Sequence, residues 1–229
     1  MKSQIIIPAR LHSTRLPEKL LLSETGKPLI QHTYESAQAA SLPGGICVAA
    51  DDERIAEVVR GFGGQVVMTD PEAASGTDRV AEVAAQMEEV EIIVNVQGDE
   101  PEISGASIDQ VVRLLEENPT EVMSTLATPI RDRAQLEDPA CVKVVLDDSG
   151  RALYFSRSVV PHAREWNDQL LEAEPAHYLQ HLGIYAYRRQ FLLELTTLPR
   201  SGPEQLENLE QLRVLSSGRS ILVGVTSEP

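Results

Sequence analysis

The sequence predicts an α/β fold on a mostly parallel sheet, and three features carry that expectation. Short apolar runs at 5–7, 46–49 and 92–96 are hydrophobic on both faces, as strands covered by helices on either side must be. Each run is followed by a polar loop and then by apolar residues at helical spacing, the alternation of a parallel βα core. After residue 141 the alternation gives way to apolar runs at 142–146 and 152–155 joined by Asp147-Asp148-Ser149-Gly150, the pattern of a β-hairpin.

In chain order, the first strand, 5–7, is expected to stop at Pro8. Beyond it come Arg10, Ser13, Thr14, Arg15 and Lys19, three cations and two hydroxyls on a loop hanging from the carboxyl end of that strand. Pro17 and Gly26-Lys27-Pro28 hold off helix until about Leu29, and so long a loop in a compact domain is usually functional. Three cations would ordinarily be a solvated surface. Open α/β sheets bind ligands at this position, however, and the chemistry suits phosphate. Neither GxxxxGK[ST] nor GxGxxG is present, so side chains and loop amides would do the holding.

Leu29, Ile30, Tyr34 and Ala37 define a first helix over 28–40, closed before Gly44-Gly45. Strand 46–49 is followed by Asp51-Asp52, capping a helix over 53–62 that ends at Gly63-Gly64. A third short strand, 65–68, leads to Ser75-Gly76-Thr77 ahead of a helix from about Asp78. Those hydroxyls suit an anion or a polar base edge, and capping alone would also account for Ser75. Strand 92–96 runs into Gln97-Gly98-Asp99-Glu100-Pro101, an acidic turn of the kind that can hold Mg²⁺ beside phosphate oxygens. Helix 108–118 and strand 122–127 complete the parallel core.

Past the hairpin, Ser156-Arg157 leads into a polar loop with Arg164 and Trp166. His181 precedes a strand over 182–187, helices are expected at 190–197 and 203–216, and an apolar strand at 221–225 closes the chain. Pro203 suits a first helical turn and Gly218 a helix end.

With 229 residues and 42% hydrophobic content, one domain is expected: a core over 1–130, a β-rich region over 131–190 and closing elements over 191–229. A net charge of −15 disfavours nucleic-acid and anionic-membrane partners. No membrane span or signal peptide is legible, which points to the cytoplasm, and Cys47 and Cys141 read as buried free thiols.

The blocks IIPARLHSTRLPEK, SGTDR, NVQGDEP, VKVVLDDSGRALYFSR, HLGIYAYR and LEQLRVL, in this order across nearly the whole chain, closely resemble the 3-deoxy-manno-octulosonate cytidylyltransferase (CMP-Kdo synthetase) family. The resemblance implies a nucleotide-diphospho-sugar transferase-like three-layer α/β/α fold with a β-rich dimerisation elaboration. It also implies a homodimer, Mg²⁺ dependence, and the reaction of CTP with 3-deoxy-D-manno-octulosonate (Kdo) to CMP-Kdo and diphosphate, for lipopolysaccharide biosynthesis. The related substrates are 8-amino-Kdo and sialic acid; STRLP and HLGIYAYR favour Kdo over sialic acid.

Carried onto this chain, the resemblance gives Arg10, Arg15 and Lys19 the leaving diphosphate, with Ser13 and Thr14 beside them on the loop, and gives Asp99 the metal. Ser75 and Arg79 fall near the cytosine or ribose, and Arg164 closes over the phosphates. Gln97, His181, Tyr185, Glu210 and Gln211 would contact the sugar, and Arg157 its carboxylate. Read without the resemblance, Tyr185 could be strand packing, Arg157 surface charge, His181 a satisfied core histidine, and Glu210 an exposed helix residue paired with Arg213. The chain departs from the family pattern at Glu18, where glycine is usual. The pattern also continues past the position of Pro229 into a GVDTPEDL-like segment bearing a second metal-binding aspartate; a chain without it is expected to bind nucleotide with impaired turnover.

Overall fold

The computed structural model describes residues 1–12 and 16–227. Its strands are β1 (Ser3–Ala9), β2 (Ile46–Ala50), β3 (Val66–Met68), β4 (Ile92–Asn95), β5 (Met123–Pro129), β6 (Lys143–Leu146), β7 (Ala152–Ser156), β8 (Leu179–Arg188) and β9 (Leu222–Val225). The helices are α1 (Leu29–Ala37), α2 (Glu53–Gly61), α3 (Gly76–Ala85), α4 (Gly105–Glu117), α5 (Arg133–Glu137), α6 (Arg189–Leu195), α7 (Gly202–Glu207) and α8 (Gln211–Ser216).

The main sheet runs β3-β2-β1-β4-β8-β5-β9, with the β6–β7 hairpin attached through β6 to β8. β1 to β4 pair in parallel, as does β5 with β9. β8 lies antiparallel between β4 and β5. The mostly parallel sheet stands, but β5 does not complete a continuous parallel core, because β8 is inserted beside β4.

Three layers result from the alternation of side chains along buried strands. Ile6, Cys47, Ala49 and Ile93 face α3, α6 and α8. Ile5, Ile7, Val48, Ile92 and Val94 face α1, α2 and α4. A smaller cluster of Ile130, Leu136, Cys141, Leu171 and Tyr178 lies beneath the β-rich region.

Three local expectations need correction. β1 does not stop at Pro8. Ile5 N donates to Gly45 O and Ala9 O accepts from Asp51 N, so alternate residues bond toward β2. Pro8 therefore faces β4, whose pairing with β1 has already ended at Ile6 and Asn95, and its missing N–H costs no ladder bond. β8 begins at Leu179, placing His181 inside the strand. The single helix expected over 203–216 is two, broken at Asn208 with φ 52° and ψ 50°. The hairpin formed as expected, with Gly150 taking φ 79° in its turn.

Candidate active site

The order β2-β1-β4 places the topological switch between β1 and β4, which run side by side and release their loops at the same edge of the sheet. A cleft of about 770 Å³ opens there. Pro8, Ala9 and Arg10 line one side, Gln97, Gly98 and Asp99 another. The two crossings come so close that a Cβ on Gly98 would sit 2.9 Å from the Pro8 carbonyl oxygen, which explains the glycine in the acidic turn.

The first wall is anchored from beneath. Arg10 is exposed, while Leu11 behind it is 1% exposed and donates its amide to Asp51 Oδ1 at 2.9 Å. Asp51 thus ties down the loop, and Asp52 alone caps α2 through Arg54 N. Arg79, also buried, donates to Thr69 Oγ1 and to Asp70 O and lies 3.6 Å from Asp51 Oδ2. Arg79 borders the cleft, and its guanidinium braces the same loop through Asp51. Lys19 extends from a short 3-10 turn, and its Nζ lies 2.7 Å from Asp99 Oδ2. The residue before it, Glu18, adopts φ 53°, with its carboxylate on Arg54 at 2.8 Å.

α1 secures the acidic turn. Thr33 Oγ1 donates to Gly98 O at 2.9 Å and Ser36 Oγ to Pro101 O at 2.6 Å. Sequence reasoning missed both residues; two hydroxyls at i, i+3 on an otherwise amphipathic helix were the signal. Burial first and the Asp99 charge second raise the Glu100 carboxyl pKa, with Lys19 opposing.

The third side joins α3 to the α7–α8 corner. Ser75 caps α3, its Oγ accepting from Asp78 N at 3.1 Å. Glu210, directly ahead of α8, has Ser75 Oγ 3.2 Å from its Oε1 and accepts from Thr77 Oγ1 at Oε2, 2.5 Å away. Arg213 is buried and forks onto Glu204 at 2.9 and 2.6 Å. Burial pushes the Glu204 carboxyl up, and the Arg213 and Ser201 contacts more than offset it, leaving its pKa lowered.

Arg10, Lys19, Ser75, Arg79, Gln97, Asp99 and Glu210 therefore border one cleft. Arg157, Arg164, His181, Tyr185 and Gln211 are not among its walls. His181 stacks against Tyr185 with ring centroids 5.4 Å apart, and its ring Nε2 is 3.0 Å from Thr125 Oγ1. Burial pushes the His181 pKa down to about 3, so the ring is neutral. Burial and then the Glu210 charge raise the Tyr185 phenol. Gln211 is buried at the start of α8. Arg157 donates to the carbonyls of Glu207 at 2.7 Å, Pro139 at 3.1 Å and Asn208 at 3.4 Å. Arg164 is exposed on the segment after β7. Ser13, Thr14 and Arg15 lie outside the described residues.

Among the described residues, no group of three His, Cys, Asp or Glu is placed to hold a metal. Mg²⁺ needs less, because it keeps waters and takes one or two carboxylates together with substrate phosphates. The Asp99 carboxylate, bordering the cleft at the switch point, fits that requirement.

A three-layer α/β/α fold with cations after β1 and a carboxylate after β4 has the architecture of a nucleotidyltransferase, the class to which comparison with known proteins assigns it. Residues 4–221 match the cytidylyltransferase family, and the chain belongs to that family. It is 52% identical, over 97% of its length and 90% of the relative's, to 3-deoxy-manno-octulosonate cytidylyltransferase of Rhodopirellula baltica. It is 47% identical to 8-amino-3,8-dideoxy-manno-octulosonate cytidylyltransferase of Shewanella woodyi, over 99% and 91% of the two chains. A solved structure of CMP:2-keto-3-deoxy-manno-octonic acid synthetase complexed with CTP superposes with a TM-score of 0.91 at 42% identity, covering 99% of this chain and 90% of that one. The fold expected from the motif resemblance is the fold found.

Proposed function

We propose that the protein transfers the cytidylyl group of CTP to the anomeric hydroxyl of Kdo, giving CMP-Kdo and diphosphate for lipopolysaccharide biosynthesis. The observation that carries this reading is the opposition of Lys19 and Asp99 across a cleft at the β1/β4 switch point, in a chain 52% identical to a Kdo cytidylyltransferase.

Attack on the α-phosphate releases diphosphate, so catalysis is mainly positioning and neutralisation of charge. Arg10 and Lys19, with Arg15, hold the departing phosphates. Ser13 and Thr14 add hydroxyl donors, and Ser75 and Arg79 border the nucleoside end. Arg164 closes over the phosphates from its loop. Mg²⁺, held by Asp99 and phosphate oxygens, would neutralise the triphosphate and ease loss of the hydroxyl proton. On the sugar side, Gln97 and Glu210 meet the polyol from the cleft wall, and His181, Tyr185 and Gln211, outside that wall, are assigned sugar contacts by the motif resemblance alone. Arg157 is assigned the carboxylate by the motif resemblance; it lies outside the cleft wall and would have to give up its carbonyl contacts, the 3.4 Å one to Asn208 O being the weakest, for a charged acceptor.

The second reading is 8-amino-Kdo, favoured by the Shewanella relative and by a carboxylate, Glu210, in the cleft that an ammonium could approach. A cytoplasmic homodimer belongs to the same proposal. Its support is β7, whose one ladder among the described strands is with β6, apart from Ala152 N donating to Ile221 O at 2.9 Å, and which carries Leu153 59% and Tyr154 38% exposed. Diphosphate release with CTP, Mg²⁺ and each sugar in turn tests the reading. Turnover of Kdo supports it; turnover of sialic acid and not Kdo overturns it.

A further inference from the structure

α7 and α8 have six residues each, too short to fix their own ends, so side-chain ties set the geometry of the corner between them. Arg213 makes most of those ties. Its Nε lies 2.9 Å from Glu204 Oε2 and its Nη2 2.6 Å from Glu204 Oε1, a planar fork that lysine cannot reproduce. Nη1 reaches Leu195 O at the end of α6 at 3.4 Å. Nη2 also stands 3.6 Å from Glu210 Oε1. Glu204, itself 6% exposed, accepts from Ser201 N at 3.1 Å and so ties the fork to the start of α7.

Glu210 is thereby held from two elements, by the Arg213 guanidinium 3.6 Å from Oε1 and by Thr77 Oγ1 of α3 donating to Oε2, while Ser75 Oγ, which donates to Asp78 Oδ2 at 2.8 Å, stands 3.2 Å from Oε1. Stability alone is a weak reason for a buried ion pair, since apolar residues of similar volume are often as stable. A pair that fixes the position of a third, cleft-lining charge has a purpose that apolar residues cannot serve.

We propose that Arg213 is a positioning residue for the sugar: anchored by Glu204, it aims the Glu210 carboxylate into the cleft and governs sugar use without touching the substrate. This rests on the cytidylyl-transfer reading above.

Arg213→Ala alone would strand the buried Glu204 charge, so the test uses the double variant Arg213→Met/Glu204→Leu and, separately, the charge-keeping Arg213→Lys. Initial rates are measured by diphosphate release against CTP and against Kdo, beside the native protein and Glu210→Gln. The double variant is expected to melt within a few degrees of the native protein, with the Kdo KM raised about tenfold or more and the CTP KM within about twofold. Arg213→Lys should give a smaller rise confined to the sugar. In the Glu210→Gln background the double change should add less than about twofold, because its route is already removed. The proposal is overturned by a folded double variant with native Kdo KM, by equal losses for both substrates, by undiminished effects in the Glu210→Gln background, or by unfolding of both the double and Arg213→Lys variants, which would make the fork purely structural. A native protein that turns over no octulosonate sugar would sink the functional reading instead, a result visible before any variant is made.

Discussion

Lys19 Nζ and Asp99 Oδ2 meet at 2.7 Å, joining the loop after β1 to the acidic turn after β4. The side chains remain 37% and 39% exposed, so the pair contributes at most about 1 kcal/mol and can be separated at little cost. A phosphate chain would take the ammonium and a divalent cation the carboxylate. The two groups to which the proposed reaction assigns phosphate and metal are thus stored against each other.

Replacing either should leave the fold intact and remove turnover. Lys19→Ala and Asp99→Asn are each expected to lower kcat/KM about a hundredfold or more, with Tm shifts of about 2 °C or less. Lys19→Ala should raise the CTP KM, while Asp99→Asn should abolish Mg²⁺-dependent turnover. Native rates in either variant would take that residue out of the mechanism.

The parts of the site that hang from strand ends were legible because a doubly buried strand stands out in the sequence, and the loop after it must emerge at the ligand-binding edge. Arg10, Lys19, Gln97 and Asp99 belong to that class. The Glu210 corner was not legible in the same way. It depends on β8 entering between β4 and β5, a pairing that no local pattern encodes, and on Asn208 taking a left-handed conformation in the middle of an apolar periodicity that reads as one helix. Arg213 read as the i+3 partner of an exposed Glu210. Its main partner, Glu204, lies nine residues away across that break.

Glu18 stands at φ 53°, in the backbone region that glycine enters freely, and its carboxylate is drawn onto Arg54. The left-handed conformation costs about 1 kcal/mol for a residue with Cβ, and the loss of chain entropy by glycine offsets most of that gain. Glu18→Gly should therefore change stability by less than about 1 kcal/mol while removing an acid adjacent to Lys19. The CTP KM is expected to fall about two- to fivefold at low salt, and less at high salt. A higher KM would show that the Glu18–Arg54 tether orders the loop for binding.

Lys143 is fully buried, and its Nζ donates to three backbone carbonyls: Asp138 at 3.0 Å, Cys141 at 2.6 Å and Arg157 at 2.7 Å. It pins the segment ahead of β6 to the end of β7. Lys143→Met keeps the stem and takes the ammonium donor from all three oxygens, of which Asp138 O keeps Cys141 N at 3.2 Å, a loss expected to cost about 2–4 kcal/mol in urea unfolding. A loss below about 1 kcal/mol would mean that water enters and replaces the ammonium.

His181 gives the fold an acid-side weakness. Burial holds its folded pKa at about 3, against 6.5 for an ordinary histidine. Between those values the unfolded chain binds a proton that the folded chain refuses, so stability is unaffected above pH 6.5 and falls as the pH drops below it. The slope approaches about 1.4 kcal/mol per pH unit, or about 2 kcal/mol lost by pH 5. Carboxylates with lowered pKa, such as Glu204, contribute stability above their unfolded value of 4.5 and lose it only at lower pH, and Glu100, whose carboxyl is raised, gains stability as the pH falls, so a decline between pH 5 and 6.5 belongs to histidine. Urea midpoints across that window should decline in the native protein and decline less in His181→Gln, whose amide can still meet Thr125 Oγ1. Equal slopes in the two proteins would mean that the ring is already protonated in the fold, and the acid sensitivity would then have to come from another histidine.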